Sequence, residues 1–142
     1  MWHPVPYAPY PYPNGSGLPA GHIAHRPVVK VELIRGTDKI SCYAIVDSGA
    51  DHCVFPLSFA AVLGLSHLGQ TPFNTAGVGG TGVPMYYWDI QMNLGPTTID
   101  VLAGFTEGMN TLGMGLLGQF GFFDRFKVLF DHPAKLFHIE IP

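Results

Sequence analysis

The stretch Cys42–Asp51 constrains the fold most strongly, because an apolar run ends there abruptly at a carboxylate. The residues up to Val46 are mainly β-branched, aromatic or small, which predicts a buried strand. Asp47, Ser48 and Gly49 then have the composition of a tight turn. A carboxylate at the end of a buried strand is costly unless it is held or used, and Gly49 allows a second backbone or a substrate to approach closely. Taken alone, these residues also fit an ordinary solvated turn.

The composition favours one β-rich domain. The 142 residues suit a single core, and 18 Gly and 13 Pro with only 12% charged residues are typical of short strands joined by many turns. A net charge of −3 without a Lys/Arg cluster argues against nucleic-acid binding. No apolar run has the length of a membrane span, and the first residues lack a signal-peptide pattern. With only Cys42 and Cys53, we expect a cytoplasmic protein, with or without release from a longer precursor.

Residues 1–25 differ from the rest, because proline alternates there with Tyr, Val and Ala. Such a density of proline blocks helices and central strands. We therefore predict an extended or disordered arm over residues 1–25, followed by a domain over residues 26–142. An arm of this kind is also suited to enter a peptide-binding cleft and mask it. His22 and His25 have a spacing that suits a metal, but no further ligand stands nearby, so no metal is predicted.

Strand periodicity continues through the domain. Strands are predicted over residues 28–35, 39–46, 71–76, 83–92, 97–105 and 116–118, and a closing hairpin over residues 127–130 and 136–141. Short helical segments are predicted over residues 57–63 and, as a helical turn or two, over residues 119–126. The glycine-rich segment Gly77–Gly82 matches a dinucleotide-binding motif by letter, but that motif needs a following helix. Pro84 and the aromatic run after it predict a strand instead, so this segment is interpreted as the tip of a β-hairpin.

These features resemble the retropepsin-like aspartic proteases over about residues 26–141. The opening Arg26–Val29 and the segment Ala44–Asp51 resemble the start of that family, and Gly77–Gly82 occupies the position of its flap. Leu116-Leu117-Gly118 resembles its second apolar-apolar-Gly element, and residues 122–131 resemble the cellular and bacterial branch more than the viral one. The resemblance implies an all-β, closed barrel-like acid protease fold with one or two short helices and a glycine-rich flap.

The resemblance also implies roles for individual residues. Asp47 would be the catalytic aspartate, the Ser48 hydroxyl would lock two catalytic loops together, and Gly49 would bind the substrate backbone. The residues that would contact substrate are Ala50, Asp51, His52, Gly79, Gly80 and Thr81. One departure concerns Gln119, which stands where viral members have Arg and removes a cation expected to pair with Asp51. Arg125 and Lys127 are the cations that could pair with Asp51 in its place.

One chain supplies only half of such a site. Peptide hydrolysis without a metal needs a base for the water and an acid for the carbonyl oxygen, which two close carboxyl groups can provide. The chain has seven Asp, and only Asp47 is followed by Ser or Thr and then Gly. We therefore expect a homodimer with one Asp47 from each protomer at the axis, paired through the strand predicted over residues 136–141. The expected enzyme is an aspartic endopeptidase that acts on polypeptides without a cofactor.

Three other functions fit parts of the sequence. The first is a catalytically inactive module of the same fold that dimerises or binds peptides, since a fold does not determine a function. The second is a metal hydrolase using His22, His25, His52 or His132, which is supported only by the number of histidines. The third is a cysteine hydrolase using Cys53, although neighbouring residues on a strand such as His52 and Cys53 point to opposite faces.

Overall fold

The computed structural model describes residues 1–11, 17–76, 80 and 82–142. Strands account for 56% of the structure and helices for 7%, which confirms the predicted all-β class. The elements in chain order are β1 (Trp2–Pro6), β2 (Ala8–Pro11), β3 (Ile23–Arg26), β4 (Val28–Arg35), β5 (Asp38–Val46), β6 (Val54–Pro56), α1 (Leu57–Val62), β7 (Phe73–Ala76), β8 (Gly82–Leu94), β9 (Thr97–Thr106), β10 (Gly115–Leu117), β11 (Lys127–Asp131) and β12 (Leu136–Glu140). Of the helices in these residues, none is long and apolar enough to cross a membrane.

The main sheet has seven strands in the order β4-β5-β10-β6-β9-β8-β7, and a further pairing between β4 and β8 curls the sheet back on itself. Its core follows from the alternation in the sequence. On β4 the side chains of Val29, Val31 and Leu33 are buried, whereas Lys30 between them is exposed. Period-two alternation therefore predicted both the strand and the face that it buries.

Strand β10 lies between the two strands that flank the Asp47 turn. It runs parallel to β5, with Leu117 opposite Val46, and antiparallel to β6, with Leu116 opposite Val54. Gly115 permits this insertion, because a Cβ at this position would lie 2.4 Å from the ring of Phe55. The register of β10 therefore places the residues after Leu117 directly against the turn that carries Asp47.

A second, three-stranded sheet has the order β1-β12-β11. Met1 and Ile141 exchange backbone hydrogen bonds at the end of the β1–β12 ladder. Since hydrogen-bonded positions alternate in an antiparallel pair, Pro4 and Pro6 occupy positions that need no N–H donor toward β12. Proline is tolerated on an edge strand for this reason. The proline-rich segment thus forms a strand because its prolines recur with a period of two.

The expectation that residues 136–141 offer a free edge for dimerisation is wrong for this chain. Strand β12 is paired along one side with β1 and along the other with β11. The free edges of this sheet are β1 and β11, where Trp2 and Leu129 are exposed. Sequence periodicity identified the closing hairpin, but the strand that covers its other side comes from the opposite end of the chain.

The segment over residues 119–126, predicted as a helical turn or two, is a series of turns. The amide of Phe126 donates to the carbonyl of Phe122 in an α-type bond, but the amides of Phe123 and Asp124 reach back five residues instead. Gly121 has φ of 104°, a conformation that interrupts a regular helix. Within this segment Phe122 is completely buried, whereas Phe120 is exposed.

Tyr7 anchors the N-terminal segment in the core. Its side chain is 8% exposed and packs against Phe137 and His132, with ring centroids 5.8 and 5.5 Å away. Its amide donates to the carbonyl of Lys135 at 2.9 Å. Burial, together with the carboxylate of Asp131, raises the pKa of Tyr7, so that the ring stays neutral. Tyr7 therefore belongs to the same core as the domain that follows it.

Replacing Tyr7 by alanine is expected to lower the free energy of unfolding by on the order of 3 kcal/mol, because it removes a buried aromatic ring. Urea denaturation followed by circular dichroism measures this loss. Tyr43→Ala is the matched control, since Tyr43 is 57% exposed on β5, and we expect about 0.5 kcal/mol or less from it. Equal effects of the two substitutions would mean that residues 1–11 are an arm outside the domain.

Candidate active site

Asp47 lies at the turn that follows β5 and is held by backbone groups. Its amide donates to the carbonyl of Leu117 at 3.0 Å, and its own carbonyl accepts from the amide of Ala50 at 3.1 Å. The carboxylate oxygen Oδ1 accepts from the amide of Gly49 at 2.9 Å. This bond from the Gly49 amide fixes the direction of the carboxyl group.

The segment that follows β10 holds the loop after Asp47 in place. The amide of Gln119 donates to the carbonyl of Ala50, and the amide of Phe120 donates to the carbonyl of Asp51, both at 2.8 Å. The side-chain amide of Gln119 adds a third bond, from Nε2 to the carbonyl oxygen of Ser48 at 2.8 Å. The two segments, Asp47–Cys53 and Gly118–Phe120, therefore form one hydrogen-bonded unit.

Gly118 is required where these two segments meet. A Cβ at this position would lie 2.3 Å from the carbonyl oxygen of His52 and 2.6 Å from that of Ala50. Both atoms belong to the backbone and cannot rotate away. The apolar-apolar-Gly pattern at residues 116–118 therefore has a steric cause, because only glycine lets the second segment approach the loop after Asp47.

A cavity of about 330 Å³ opens beside the Asp47 turn. Its wall is mostly apolar, and among the described lining residues Asp51 and His52 are the only acidic or basic ones. The lining residues come from the loop after Asp47, from β6, from the β7–β8 hairpin, from the end of β9 and the turn after it, and from β10: Gly49, Ala50, Asp51, His52, Val54, Thr75, Ala76, Val83, Met85, Thr106, Met109 and Leu116. Four consecutive residues predicted to contact substrate, Gly49 to His52, thus line one cavity, which we call the groove.

The predicted flap corresponds to the β7–β8 hairpin. The two strands pair from Phe73 opposite Met85 to Ala76 opposite Gly82. Gly80 at its tip is exposed and has φ of 72°, a conformation that favours glycine. Gly79 and Thr81 lie outside the described residues. The hairpin thus forms part of the cavity wall. Its action as a flap stays a prediction.

His52 lies between two aromatic rings at the edge of this cavity. Its ring is 5.1 Å from that of Tyr87 and 6.0 Å from that of Phe120, both edge-to-face. Its Nδ1 atom is buried and has no hydrogen-bond partner in the described part of the chain. The hydroxyl of Tyr87 in turn lies 3.4 Å from that of Thr75, which lines the cavity. The aromatic contacts fix His52 as part of the wall.

Asp51 forms no ion pair with any Lys or Arg in the described ranges. Lys127, one of the two alternatives considered, pairs with Glu140 at 3.2 Å, and this is the single salt bridge found among the residues that the structure describes. Arg125 lines a different cavity, together with Asp89, Asp100 and Asp124. Gln119 makes its hydrogen bond to Ser48 instead. The Asp51 carboxylate therefore faces the groove without an ion-pair partner among the described residues.

The two thiols have no properties of nucleophiles. Burial raises the pKa of Cys53 to about 11 and that of Cys42 to about 12, so both stay protonated at neutral pH. The thiol of Cys53 lies 3.7 Å from the carbonyl of Phe120, to which it donates. His22, His25, His52 and His132 do not assemble into a metal site either: in the described ranges, no three His, Cys, Asp or Glu residues are placed to hold an ion.

No model of a protein family matches the sequence, and no curated protein matches it. Solved structures do resemble it. A retropepsin-like aspartic protease from Rickettsia conorii superimposes with a TM-score of 0.61 at 14% identity, covering 98% of this chain and 91% of that chain. EIAV protease complexed with the inhibitor HBY-793 gives a TM-score of 0.49 at 17% identity, covering 66% and 82% of the respective chains.

The chain therefore has the retropepsin-like fold of aspartic proteases, as its motifs predicted. This likeness concerns the path of the backbone. The arrangement of Asp47, Gly49, Gly118 and Gln119 comes from the chain's own geometry.

Proposed function

We propose that this protein is an aspartic endopeptidase that cleaves polypeptides with two Asp47 carboxyl groups, one from each protomer of a homodimer. The observation that carries this proposal is the Asp47 carboxylate, fixed by the Gly49 amide at 2.9 Å at the end of a buried strand. The retropepsin-like fold and the groove formed by the four residues after Ser48 support it. The assignments of Ser48, Gly49, Ala50, Asp51 and His52 to the site are part of the same proposal.

The mechanism uses one shared proton. Two carboxyl groups a few ångströms apart do not both ionise, so one carries a proton and the other does not. The ionised carboxylate takes a proton from water as the water oxygen attacks the scissile carbonyl carbon. The protonated carboxyl donates to the carbonyl oxygen, which gives a neutral tetrahedral diol. Transfer of a proton to the nitrogen and breakage of the C–N bond then release the amine and the acid.

The second carboxyl group is proposed to come from a second copy. Among the described residues that line the groove, Asp51 is the only acidic one, and Asp47 itself lies beside the groove and not in its lining. The backbone carbonyl of Asp51 is fixed by the amide of Phe120, so its carboxyl group stays four positions along the chain from Asp47. The Ser48 hydroxyl is exposed and forms no hydrogen bond within the described chain, which leaves it free to bond across a dimer axis. The free edges β1 and β11 offer backbone groups for pairing with another copy.

The groove suits an extended peptide. Its lining is mainly apolar, and it combines Gly49 and Ala50 of the loop after Asp47 with Thr75 and Val83, which pair with each other on the β7–β8 hairpin. Small residues in that loop leave room for a substrate backbone. Since Asp51 has no ion-pair partner in the part of the chain that the structure describes, a basic side chain of the substrate is a suitable ligand for it.

The function is tested by incubation with an unfolded protein substrate across the pH range. Cleavage is expected to be fastest at acidic to mildly acidic pH, because the dyad must hold one proton and loses it as the pH rises. A statine-type peptide that mimics the tetrahedral state should block cleavage, whereas a chelator should leave the rate unchanged. A rate that keeps climbing into alkaline pH, or one abolished by the chelator, would contradict the proposal.

A second candidate is a peptide-binding module without catalysis. It is favoured by one observation: β12 is already paired on both sides within the chain. The strand that was expected to pair across the dimer interface therefore has its backbone hydrogen bonds satisfied within one chain. A monomer of this kind would still present the apolar groove. Light scattering combined with peptide-binding measurements separates the two functions, because the module would bind peptides as a monomer and never cleave them.

A further inference from the structure

One peptide group joins Gln119 to the carboxylate of Asp47. The carbonyl oxygen of Ser48 accepts a hydrogen bond from Nε2 of Gln119 at 2.8 Å. The amide nitrogen of Gly49 donates to Oδ1 of Asp47 at 2.9 Å. The Ser48 carbonyl and the Gly49 amide are the two ends of the same peptide bond. Gln119 and Asp47 thus bind the opposite ends of one planar unit.

This connection has two physical consequences. Because the peptide group is planar, holding its C=O also sets the direction of its N–H. A hydrogen bond accepted by the carbonyl also polarises the group, which strengthens the bond that its N–H donates. Both effects act on the amide that orients the Asp47 carboxylate. Rotation of the Ser48–Gly49 peptide would turn this amide away from Oδ1.

Gln119 is itself well anchored for this task. Its backbone amide donates to the carbonyl of Ala50 at 2.8 Å, and Gly118 before it fits tightly under the carbonyls of Ala50 and His52. The loop after Asp47 therefore sets the position of the Gln119 backbone, and the Gln119 side chain donates to the same loop at Ser48. The side chain is nevertheless exposed, so the bond to Ser48 is not imposed by close packing.

We propose that Gln119 is a positioning residue that orients the Asp47 carboxylate through the Ser48–Gly49 peptide group. As it concerns catalysis, the proposal rests on the proposed peptidase function. The coupling between Gln119 and Gly49 does not, because it exists whether or not the protein cleaves peptides. The sequence suggested only that Gln119 removes a cation from Asp51; the structure assigns it a hydrogen bond of its own.

The test compares variants of Gln119 that differ in their ability to donate. Gln119→Met keeps the length of the side chain and loses the donor, whereas Gln119→Arg keeps N–H groups that can reach the same carbonyl. The value of a single hydrogen bond predicts that Met lowers kcat about tenfold, with KM changed less than about twofold and the melting temperature unchanged. Arg should keep kcat within about threefold of the native value.

A readout without catalysis follows the Gly49 amide by NMR. In Gln119→Met its proton should exchange with solvent several-fold faster than in the native protein, and in Gln119→Arg it should stay close to native. Gln70→Met is the matched control, because Gln70 is exposed in a turn away from the groove, and neither kcat nor the Gly49 amide should change there.

Three results would overturn the proposal. The first is a Met variant with native kcat and native exchange at Gly49. The second is a Met variant whose kcat falls only in proportion to a loss of folded protein, which would make Gln119 merely structural. The third is an Arg variant as impaired as Met. If no variant and no native protein cleaves peptides, while the Gly49 amide still responds as expected, the proposed function fails and the positioning contact stands.

Discussion

Replacing Asp47 by asparagine is expected to lower the rate of peptide cleavage by about 10³-fold or more, the scale of a lost general acid or base. In a homodimer the substitution removes both carboxyl groups at once. No group then remains to take the proton of the attacking water. Asparagine keeps a carbonyl oxygen that can accept from the Gly49 amide in place of Oδ1. The turn, the fold and the free energy of unfolding should therefore stay close to native.

The measurement is kcat/KM on an unfolded protein or a fluorogenic peptide, with urea denaturation beside it. Asp89→Asn serves as the matched control, since Asp89 is exposed on β8 and lines cavities away from the groove. Its activity should remain native within about twofold. If Asp47→Asn still cleaves at a native rate, Asp47 is not the catalytic aspartate and the proposed mechanism fails.

Replacing Gly118 by alanine is expected to be strongly disruptive, although it adds only one methyl group. The added Cβ would meet the carbonyl oxygens of His52 and Ala50 at 2.3 and 2.6 Å. Relief requires the two segments to separate, which lengthens the bonds from Gln119 to Ala50 and to Ser48. Overpacking against backbone of this kind predicts a loss of on the order of 3 kcal/mol in the free energy of unfolding.

Activity should fall together with stability in Gly118→Ala, because the Asp47 loop moves with the segment that clamps it. Thermal and urea unfolding measure the first effect, and kcat/KM at a temperature where the variant is folded measures the second. Gly108→Ala is the control, since its Cβ would meet nothing closer than 3.8 Å, and it should cost about 1 kcal/mol or less. Native stability in Gly118→Ala would show that the two segments are not packed together.

The sequence carried the information that is local along the chain. Alternation on β4 predicted its buried face, and the apolar run before Asp47 predicted the strand that carries the carboxylate. The glycines of the β7–β8 hairpin predicted its position. Motifs in the right order were enough to predict the retropepsin-like fold at a sequence identity of only 14%.

Pairing between distant segments was harder to predict. Nothing near Leu136–Glu140 shows that β1 covers this strand, because strand pairing depends on which edge is nearest in space. The sequence did contain one indication of this pairing. Proline recurs at Pro4 and Pro6, so the residues that alternate with them keep the backbone N–H groups that a neighbouring strand needs. The sequence alone left open whether such a segment finds a partner.

For the candidate site, the residue types were set by the sequence, and their connections by the tertiary structure. Asp47 and Gly49 belong to one short turn, so their relation could be predicted from neighbouring residues. The bond from Gln119 to Ser48 spans 71 positions and exists only because β10 enters between β5 and β6. Hydrogen bonds require donor and acceptor within about 3 Å, and only the folded chain brings groups so far apart in sequence to that distance.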